Sequence, residues 1–305
     1  MSNISASLVK ELRDKTGAGM MDCKNALNEN NGEMEASIDW LRTKGLAKAA
    51  KKSGRIASEG LIAISSSDEF SSIIEVNSET DFVARNDTFQ NVAKTIGALS
   101  LKSSDLDNLK SQNVDEKNIN VDDYVTEMIS SIGENINLRR MMRFESSNSY
   151  VSSYIHGQVS EGLGKIGVMV NLKSDCEKES VIDLGKKIAM HIAATNPLSI
   201  SIDGIPSDTL DRERKILVEE ARESGKPEEI IEKMIGGRLK KFYQESVLLE
   251  QTFVIDGESK VSDVLNSLES PVNIIDFVRF ELGEGIEKAS GEDFASEVDS
   301  MISGN

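Results

Sequence analysis

A short connection near residue 80 separates two strongly patterned segments. Residues 72–76 are mainly apolar and β-branched, which predicts a buried strand, and residues 87–90 have the spacing of a capping box, which predicts that a helix begins there. Thr80, Asp81, Phe82 and Val83 therefore lie on a strand-to-helix connection, which is normally at the surface. Two interpretations remain open. Either Asp81 caps a turn while Phe82 folds back onto the core, or Phe82 is presented to another molecule.

Helical periodicity dominates the first 45 residues. Helices are predicted over residues 5–15 and 20–28, and a third should end before Gly45, which together indicates a small three-helix bundle. Met20 and Met21 are adjacent in the second helix, so their side chains point about 100° apart. We expect one of them to face outward as an adaptable contact; the alternative is that both are partly buried against the next domain.

Residues 42–55 reverse the local charge, with six basic side chains and no acidic one in an Ala-rich segment. This composition predicts a helical linker between the bundle and the body. An RNA-binding arm is a second interpretation, but the segment lacks the interleaved aromatic residues that stack on bases. Solvation, or an acidic protein partner, is the simpler explanation.

The body contains a weak internal repeat. Residues 57–64, a strand at 73–76 and a helix at 88–100 are echoed by residues 159–163, a strand at 166–172 and a helix at 181–194. The repeat predicts two related halves, each with a small antiparallel sheet backed by helices. Residues 174–177 in the second half occupy the place that Thr80 to Val83 occupy in the first.

Residues 103–124, between the halves, are polar and predict a solvated excursion. A helix is then expected to run to residue 140, followed by a strand over 141–145.

Further along, two charged amphipathic segments at 207–223 and up to residue 243 predict an antiparallel helical hairpin. Two interpretations stay open: the hairpin stands off the body for self-association or contact with a partner, or it packs on the second sheet. Residues 274–282 predict a strand that completes the second sheet. A last amphipathic helix is expected from Phe294, Val298 and Met301.

The composition narrows the functional classes. With 52 acidic and 35 basic side chains, the formal net charge is -17, which disfavours general binding to nucleic acids or anionic membranes. Cys23 and Cys176 are too few for a disulfide framework, and the start of the chain resembles no signal peptide. No apolar run approaches the length of a membrane span. A reducing cytoplasm is the expected location.

Candidate catalytic chemistry is sparse. The two histidines, His156 and His191, lie near no nucleophile motif, and the sequence contains no Cys/His metal spacing, phosphate-binding loop or dinucleotide fingerprint. His191 falls inside a helix and is expected to be structural. His156 ends a strand before Gly157; it is better placed to meet a partner, but a satisfied turn histidine is the simpler interpretation. We therefore expect no enzyme activity, no metal site and no cofactor.

Four motifs together resemble the bacterial translation elongation factor Ts family. They lie at residues 16–24, 80–83, 132–136 and 279–287, so the resemblance extends over essentially the whole chain. The polar residues 103–124 and the loop at 161–164 depart from the family pattern.

The resemblance implies an α+β fold with an N-terminal ubiquitin-associated-like three-helix bundle, a two-part core, a helical hairpin and a C-terminal helix. The implied division is 1–55 for the bundle and basic linker, 56–147 for the first core subdomain, 148–195 with 246–283 for the second, 196–245 for the hairpin, and 284–305 for the C-terminal module.

The same resemblance implies a guanine-nucleotide exchange factor that binds elongation factor Tu carrying GDP. By position, Thr80, Asp81, Phe82 and Val83 would enter near the Mg²⁺ site of the partner, and Met20, Met21 and His156 would make further contacts. A homodimer through the hairpin is also implied, without direct binding of nucleic acid or membrane. Two competing classes stay open: an adaptor that alters no ligand affinity, and an RNA-binding factor that acts through residues 42–55.

Overall fold

The computed structural model describes residues 4–115, 118–223 and 227–287, and shows the mixed helix and sheet fold that the sequence predicts. In chain order the elements are α1 (Ala6–Thr16), α2 (Met20–Glu29), α3 (Met34–Lys52), β1 (Glu59–Ser66), β2 (Phe70–Ser78), α4 (Asp81–Ala84), α5 (Asp87–Ser100), α6 (Leu106–Ser111), β3 (Asn113–Val114), β4 (Ile119–Asn120), α7 (Val121–Ile132), β5 (Ile136–Glu145), β6 (Tyr150–His156), β7 (Leu163–Gly164), β8 (Ile166–Lys173), α8 (Lys178–Thr195), α9 (Ser207–Glu223), α10 (Glu228–Ser246), α11 (Val261–Leu265) and β9 (Asn273–Glu281).

The first sheet has the strand order β5-β2-β1-β7, and all of its pairs are antiparallel. Successive side chains of a strand point to opposite faces of the sheet. Accordingly, Leu61 and Ile74 pack with helices α5 and α7, whereas their neighbours Ile62 and Ile73 belong to a separate apolar cluster on the other face. Strand β2 is therefore apolar on both faces and buried along nearly its whole length.

The second sheet has the order β6-β8-β9 and is also antiparallel. Val168 and Val170 pack against helix α8, and Met169 between them faces the first sheet, where it joins Ile62 and Ile73. The core thus has four layers: α5 and α7, the first sheet, the second sheet, and α8. Gly167 lies in close contact with the first sheet: a Cβ atom added there would lie 2.6 Å from Cγ2 of Ile62 and 2.8 Å from Cδ1 of Ile73.

A buried charge lies at the junction of the two sheets. The side chain of Glu75, on β2, has no exposed surface. The pairing of β2 with β5 shifts register at this point, so that Arg139 is an extra residue and both Arg139 and Arg140 reach the carboxylate, at 3.1 and 2.5 Å. From beyond the end of β9, the backbone N–H of Gly283 donates to the same carboxylate at 2.8 Å.

These contacts determine the ionisation of Glu75. Burial alone would raise the pKa of this carboxyl group, but hydrogen bonds from Asn77, Gly283 and Arg140 outweigh the effect, and the pKa lies below its ordinary value of 4.5. The turn at Gly283 requires glycine, since its φ is 71° and a Cβ atom would lie 2.3 Å from the carbonyl oxygen of Ser58.

The predicted repeat is confirmed, although its starting point is different. Each half has a central strand, β2 or β8, between an earlier strand and a later one, and the helix α5 or α8 follows the central strand. In both helices a glycine lies against a serine of the earlier strand: Gly97 against Ser65 of β1, and Gly185 against Ser152 of β6. The earlier strand of the second half is therefore β6. Residues 159–163 were wrongly matched, because they form a turn leading into β7, which pairs with β1 of the first sheet.

Two predictions between the halves are wrong. Residues 103–124 are not a solvated excursion: among those described, they form α6, a small β3–β4 hairpin and the start of α7, and Leu109, Val114 and Val121 are buried in the first core. The helix expected to reach residue 140 ends at Ile132 with Gly133 in the left-handed conformation, and residues 136–140 already belong to β5. Cross-strand pairing to β2 explains why this arginine-rich run is a strand.

The helical linker predicted over residues 42–55 is confirmed as far as Lys52, but the expected break at Gly45 is wrong. Helix α3 continues through Gly45 to Lys52 and packs along α7, where Gly45 is buried against Ser130. The basic side chains of α3 contribute to this docking. Arg42 forms an ion pair with Asp123 of α7 at 2.5 Å, and Lys52 donates to the carbonyl oxygen of Gly133.

Helices α9 and α10 pack against each other and form the predicted hairpin, with Leu217 and Ile231 buried between them. Strand β9 completes the second sheet, as predicted. The helix expected from Phe294, Val298 and Met301 lies outside the described residues. None of the helices within the described ranges is both long enough and apolar enough to cross a membrane.

We predict that Gly167→Val destabilises the protein by about 1–3 kcal/mol or more, because the added atoms overlap Ile62 and Ile73 between the sheets. Gly236→Ala is the control: nothing lies within 4 Å of the added Cβ atom in α10, so the free energy of unfolding should rise by about 0.5–1 kcal/mol. Urea unfolding measures both changes. An unchanged midpoint for Gly167→Val would contradict close packing of the sheets.

We also predict that Glu75→Gln lowers the free energy of unfolding at pH 7 by about 3 kcal/mol, because Arg139 and Arg140 lose a buried partner. Since the folded-state pKa of Glu75 is depressed, its contribution is fully present above 4.5 and is lost as the pH falls below that value. The loss of stability at acid pH should therefore be smaller in Glu75→Gln than in wild type. The exposed Glu269→Gln should follow wild type, and parallel curves for wild type and Glu75→Gln would contradict the prediction.

Candidate functional site

The connection from β2 to α5, residues 79–86, is called the Phe82 loop. Thr80 has an extended backbone (φ -124°, ψ 155°), and the chain then makes the single helical turn of α4 before α5 begins. The residue that caps α5 is Asn86, whose side chain accepts a hydrogen bond from the N–H of Thr88 at 2.8 Å. The predicted cap at residue 87 was therefore one position late.

The apolar side chains of the Phe82 loop point in different directions. Phe82 is 77% exposed, more than any other large apolar side chain in the described residues. Val83 is only 8% exposed and packs in the first core, as does Phe89 at the start of α5. The interpretation that Phe82 folds back onto its own core is wrong, because Val83 takes that place.

Asp81 begins α4 and does not cap it, since its carboxylate accepts a hydrogen bond from Arg85 one turn later at 2.9 Å. Both side chains are substantially exposed, so this ion pair adds little stability. The tip of the loop therefore presents a carboxylate and an aromatic ring together at the surface.

The base of the loop is held by the segment that joins α7 to β5. Glu134 accepts two hydrogen bonds from Thr80, from its backbone N–H at 3.0 Å and from its hydroxyl at 2.6 Å. In return, Glu79 accepts a hydrogen bond from the backbone N–H of Asn135 at 2.5 Å. Sequence reasoning missed these roles. The available signal was the motif at residues 132–136, but nothing in its spacing indicates which residue it contacts.

Met20 and Met21 begin helix α2, and they are 46% and 67% exposed. Both face outward, where only one was expected to, and neither is buried against the next domain. The following turn is fixed by Asp22, which pairs with Lys48 at 2.7 Å and Lys44 at 3.4 Å. The hydrogen bond from Lys48 holds the pKa of Asp22 below its ordinary value. The two methionines thus form an apolar contact surface on a fixed helix.

The two histidines differ as expected. His191 is fully buried, which lowers its pKa; its Nε2 atom lies 2.8 Å from the side-chain oxygen of Gln251, and its Nδ1 accepts from the N–H of Val254 at 3.2 Å. His156 ends β6 and is exposed, with Nδ1 3.2 Å from the hydroxyl of Tyr154. His156 is therefore the histidine available to another molecule.

The candidate residues do not converge on one cleft. The Phe82 loop follows the first sheet, His156 ends a strand of the second, and the methionines lie on the N-terminal bundle; no hydrogen bond or ring contact within the described ranges joins one group to another. Nowhere in those ranges are three or more His, Cys, Asp and Glu side chains grouped to hold a metal ion. The candidate residues thus lie on separate parts of the surface.

Comparison with known proteins agrees with the resemblance in the sequence. The family model described as elongation factor TS matches residues 79–284. Curated relatives named elongation factor Ts include those of Parvibaculum lavamentivorans (51% identical over 303 residues, 98% of each chain), Rhodospirillum centenum (51% over 306 residues, 99% of each) and Rhodospirillum rubrum (52% over 308 residues, 99% of each).

The opposite orientations of Phe82 and Val83 lead to a prediction about stability. Phe82→Ala should change the free energy of unfolding by no more than about 0.5 kcal/mol, since the ring is exposed. Val83→Ala should lower it by about 1 kcal/mol or more, because buried methyl groups are removed from the core. Chemical unfolding of both variants measures the difference. A larger loss in Phe82→Ala than in Val83→Ala would contradict the described loop.

Proposed function

The chain belongs to the elongation factor Ts family, and on this basis we propose that it binds elongation factor Tu carrying GDP and promotes release of the nucleotide by disturbing the Mg²⁺ and phosphate site. Family membership supports the role of a nucleotide exchange factor in translation elongation, which is not catalysis of a chemical reaction in the usual sense. The observation that carries the finer proposal is the 77% exposure of Phe82 on a loop whose base is held by Glu134.

An exchange factor acts through linkage. If its binding weakens the hold of the partner on a nucleotide by some factor, the nucleotide weakens the hold of the partner on the exchange factor by the same factor. Lowering a nanomolar nucleotide affinity, worth about 12 kcal/mol, requires about 1.4 kcal/mol of differential contact for each power of ten. The contacts that matter are therefore those made with the nucleotide-free partner and lost when nucleotide is bound.

The Phe82 loop has the properties such a contact requires. An exposed aromatic ring gains free energy when it is buried between the helices of a partner, and packed helices change between discrete arrangements rather than deforming continuously. Asp81, next to the ring, would bring negative charge toward a site where Mg²⁺ neutralises phosphate. Together they would disturb the metal and phosphate contacts of the partner, with Thr80 and Val83 anchoring the loop on its own side.

The remaining candidate residues are proposed as anchors. Met20 and Met21 offer adaptable apolar contact on the bundle, in residues 1–55, and His156 offers a polar contact on the second core subdomain. These contacts would supply binding free energy that does not depend on nucleotide. In this division, residues 56–147 carry the active loop, 148–195 with 246–283 support it, and 284–305 contribute a further contact.

We further propose self-association through the hairpin, residues 196–245, and a location in the cytoplasm, where translation elongation takes place. Direct binding of nucleic acid is not part of the proposal. Arg42, Lys44, Lys48 and Arg55, in the basic segment once considered for RNA, are each within ion-pair distance of a carboxylate of this chain. A salt titration distinguishes the classes, since phosphate contacts lose affinity steeply as salt rises.

The direct test is release of labelled GDP from purified elongation factor Tu, with and without this protein. Wild type should accelerate release. Phe82→Ala should be slower by about thirtyfold, which corresponds to the 2 kcal/mol typical of a central aromatic contact. Asp81→Ala should also be slower.

Exposed apolar residues elsewhere provide the matched control. Ile275→Ala removes a side chain that is 49% exposed on β9, away from the proposed contacts, and should release GDP as fast as wild type. Binding without acceleration by the wild-type protein would favour the adaptor instead. Equal rates of GDP release for Phe82→Ala and wild type would exclude the proposed role of the Phe82 loop.

A further inference from the structure

We propose that Glu134, with Glu79, is a positioning residue that fixes the direction in which the Phe82 loop presents its ring. The inference rests on the proposed function and adds residues that touch neither nucleotide nor partner in that proposal. Glu134 contacts Thr80, two residues before Phe82, and acts on the ring only through the backbone.

The first step concerns the unusual use of Thr80. Thr80 occupies the N-cap position of α4, where a threonine hydroxyl normally accepts a hydrogen bond from the N–H of the second or third helical residue. Here the side chain makes no such capping bond. Its hydroxyl donates to one carboxylate oxygen of Glu134 at 2.6 Å, and its N–H donates to the other oxygen at 3.0 Å. The start of α4 is thus held by a residue 54 positions away.

The two hydrogen bonds from Thr80 to Glu134, called the clamp, are supported by neighbouring contacts. Glu79 accepts from the N–H of Asn135 at 2.5 Å, and the side-chain amide of Asn135 donates to the carbonyl oxygen of Arg55 at 2.7 Å. The Arg55 guanidinium completes this cycle of hydrogen bonds by donating to Glu79 at 3.5 Å. Three chain segments meet here: the residues after α3, the start of the Phe82 loop, and the residues between α7 and β5.

The third step connects the clamp to the activity. The helical turn of α4 is short, and consecutive residues in it differ by about 100° in direction, so a shift at Thr80 rotates Phe82 and Val83 together. A ring that is free to move must be ordered at the moment it enters the partner, which reduces the gain from its burial. Losing the clamp should therefore lower the maximal rate of nucleotide release, and affect overall binding little, because the anchors on the bundle and the second sheet remain.

The variants are Glu134→Ala, which removes both acceptors, and Glu134→Gln, which keeps one side-chain oxygen as an acceptor. Glu69→Ala and Glu69→Gln are matched controls: Glu69 is an exposed carboxylate in the β1–β2 turn. GDP release from elongation factor Tu is measured over a range of concentrations of each variant. For Glu134→Ala we expect a maximal rate about tenfold lower and a half-saturating concentration changed by less than about twofold, with Glu134→Gln intermediate and both Glu69 variants equal to wild type.

A second measurement needs no partner. Amide hydrogen exchange of Thr80 in the free protein should speed up at least about tenfold in Glu134→Ala, while the amide of Ile74 in β2 keeps its protection. Unchanged exchange at Thr80 would overturn the clamp. Faster exchange with an unchanged maximal rate would overturn the positioning role, and so would a rise in half-saturating concentration alone.

The proposed function fails in a different way. If wild type itself does not accelerate GDP release, the proposed role in nucleotide exchange is wrong. The positioning role of Glu134 is then wrong too, whatever the amide hydrogen exchange of Thr80 shows. Acceleration by wild type together with an unaffected Glu134→Ala overturns only the inference drawn here.

Discussion

The contact between the buried carboxylate of Glu75 and the two arginines opposite it is the constraint on which the remaining geometry depends. Burying the Glu75 carboxylate without a partner would cost much free energy. Strand β2 can therefore be buried at this residue only because β5 supplies Arg139 and Arg140. The bulge that provides the extra arginine and the Gly283 N–H from beyond β9 complete the arrangement. One charge therefore fixes the register of β2 with β5 and connects both to the second sheet, and β2 is the strand that ends in the Phe82 loop.

The Phe82 ring stays exposed because the neighbouring Val83 occupies the core and the two side chains cannot exchange places. Val83 and Phe82 are adjacent in a single helical turn, so turning Phe82 inward would turn Val83 out of the core. The carboxylate of Glu134 holds one end of this turn, and the cap at Asn86 fixes the start of the next helix. The exposure of Phe82 is thus a property of the whole connection.

Strands β2, β8 and β9, the first two helices and the hairpin could be predicted from the sequence, because each depends on local periodicity. The failures occurred where a distant residue decides the local structure. Residues 136–140 were predicted as helix because nothing in Arg139 or Arg140 indicates a strand. They form one because they pair with β2, whose Glu75 lies 64 and 65 positions earlier and holds both arginines. Gly45 predicts the end of a helix, yet α3 continues through it because α7 packs against it there. The exposure of Phe82 stayed undecided because the sequence does not indicate which of Phe82 and Val83 enters the core.

The two related halves show why one connection exposes an aromatic ring and the other does not. In the second half, the corresponding connection between β8 and α8 is closed by its own chain: Ser174 donates to the carbonyl oxygen of Pro271 at 3.1 Å, and the Cys176 thiol exchanges contacts with the backbone of Ser270 at 3.2 and 3.3 Å. In the first half the contacts from other segments lie at the base of the Phe82 loop, and the Phe82 ring at its tip is exposed. The same strand-to-helix geometry thus gives a sealed corner in one half and an exposed aromatic ring in the other. Because both connections follow the central strands of sheets that pack face to face, the closed connection and the exposed Phe82 are carried by one continuous core.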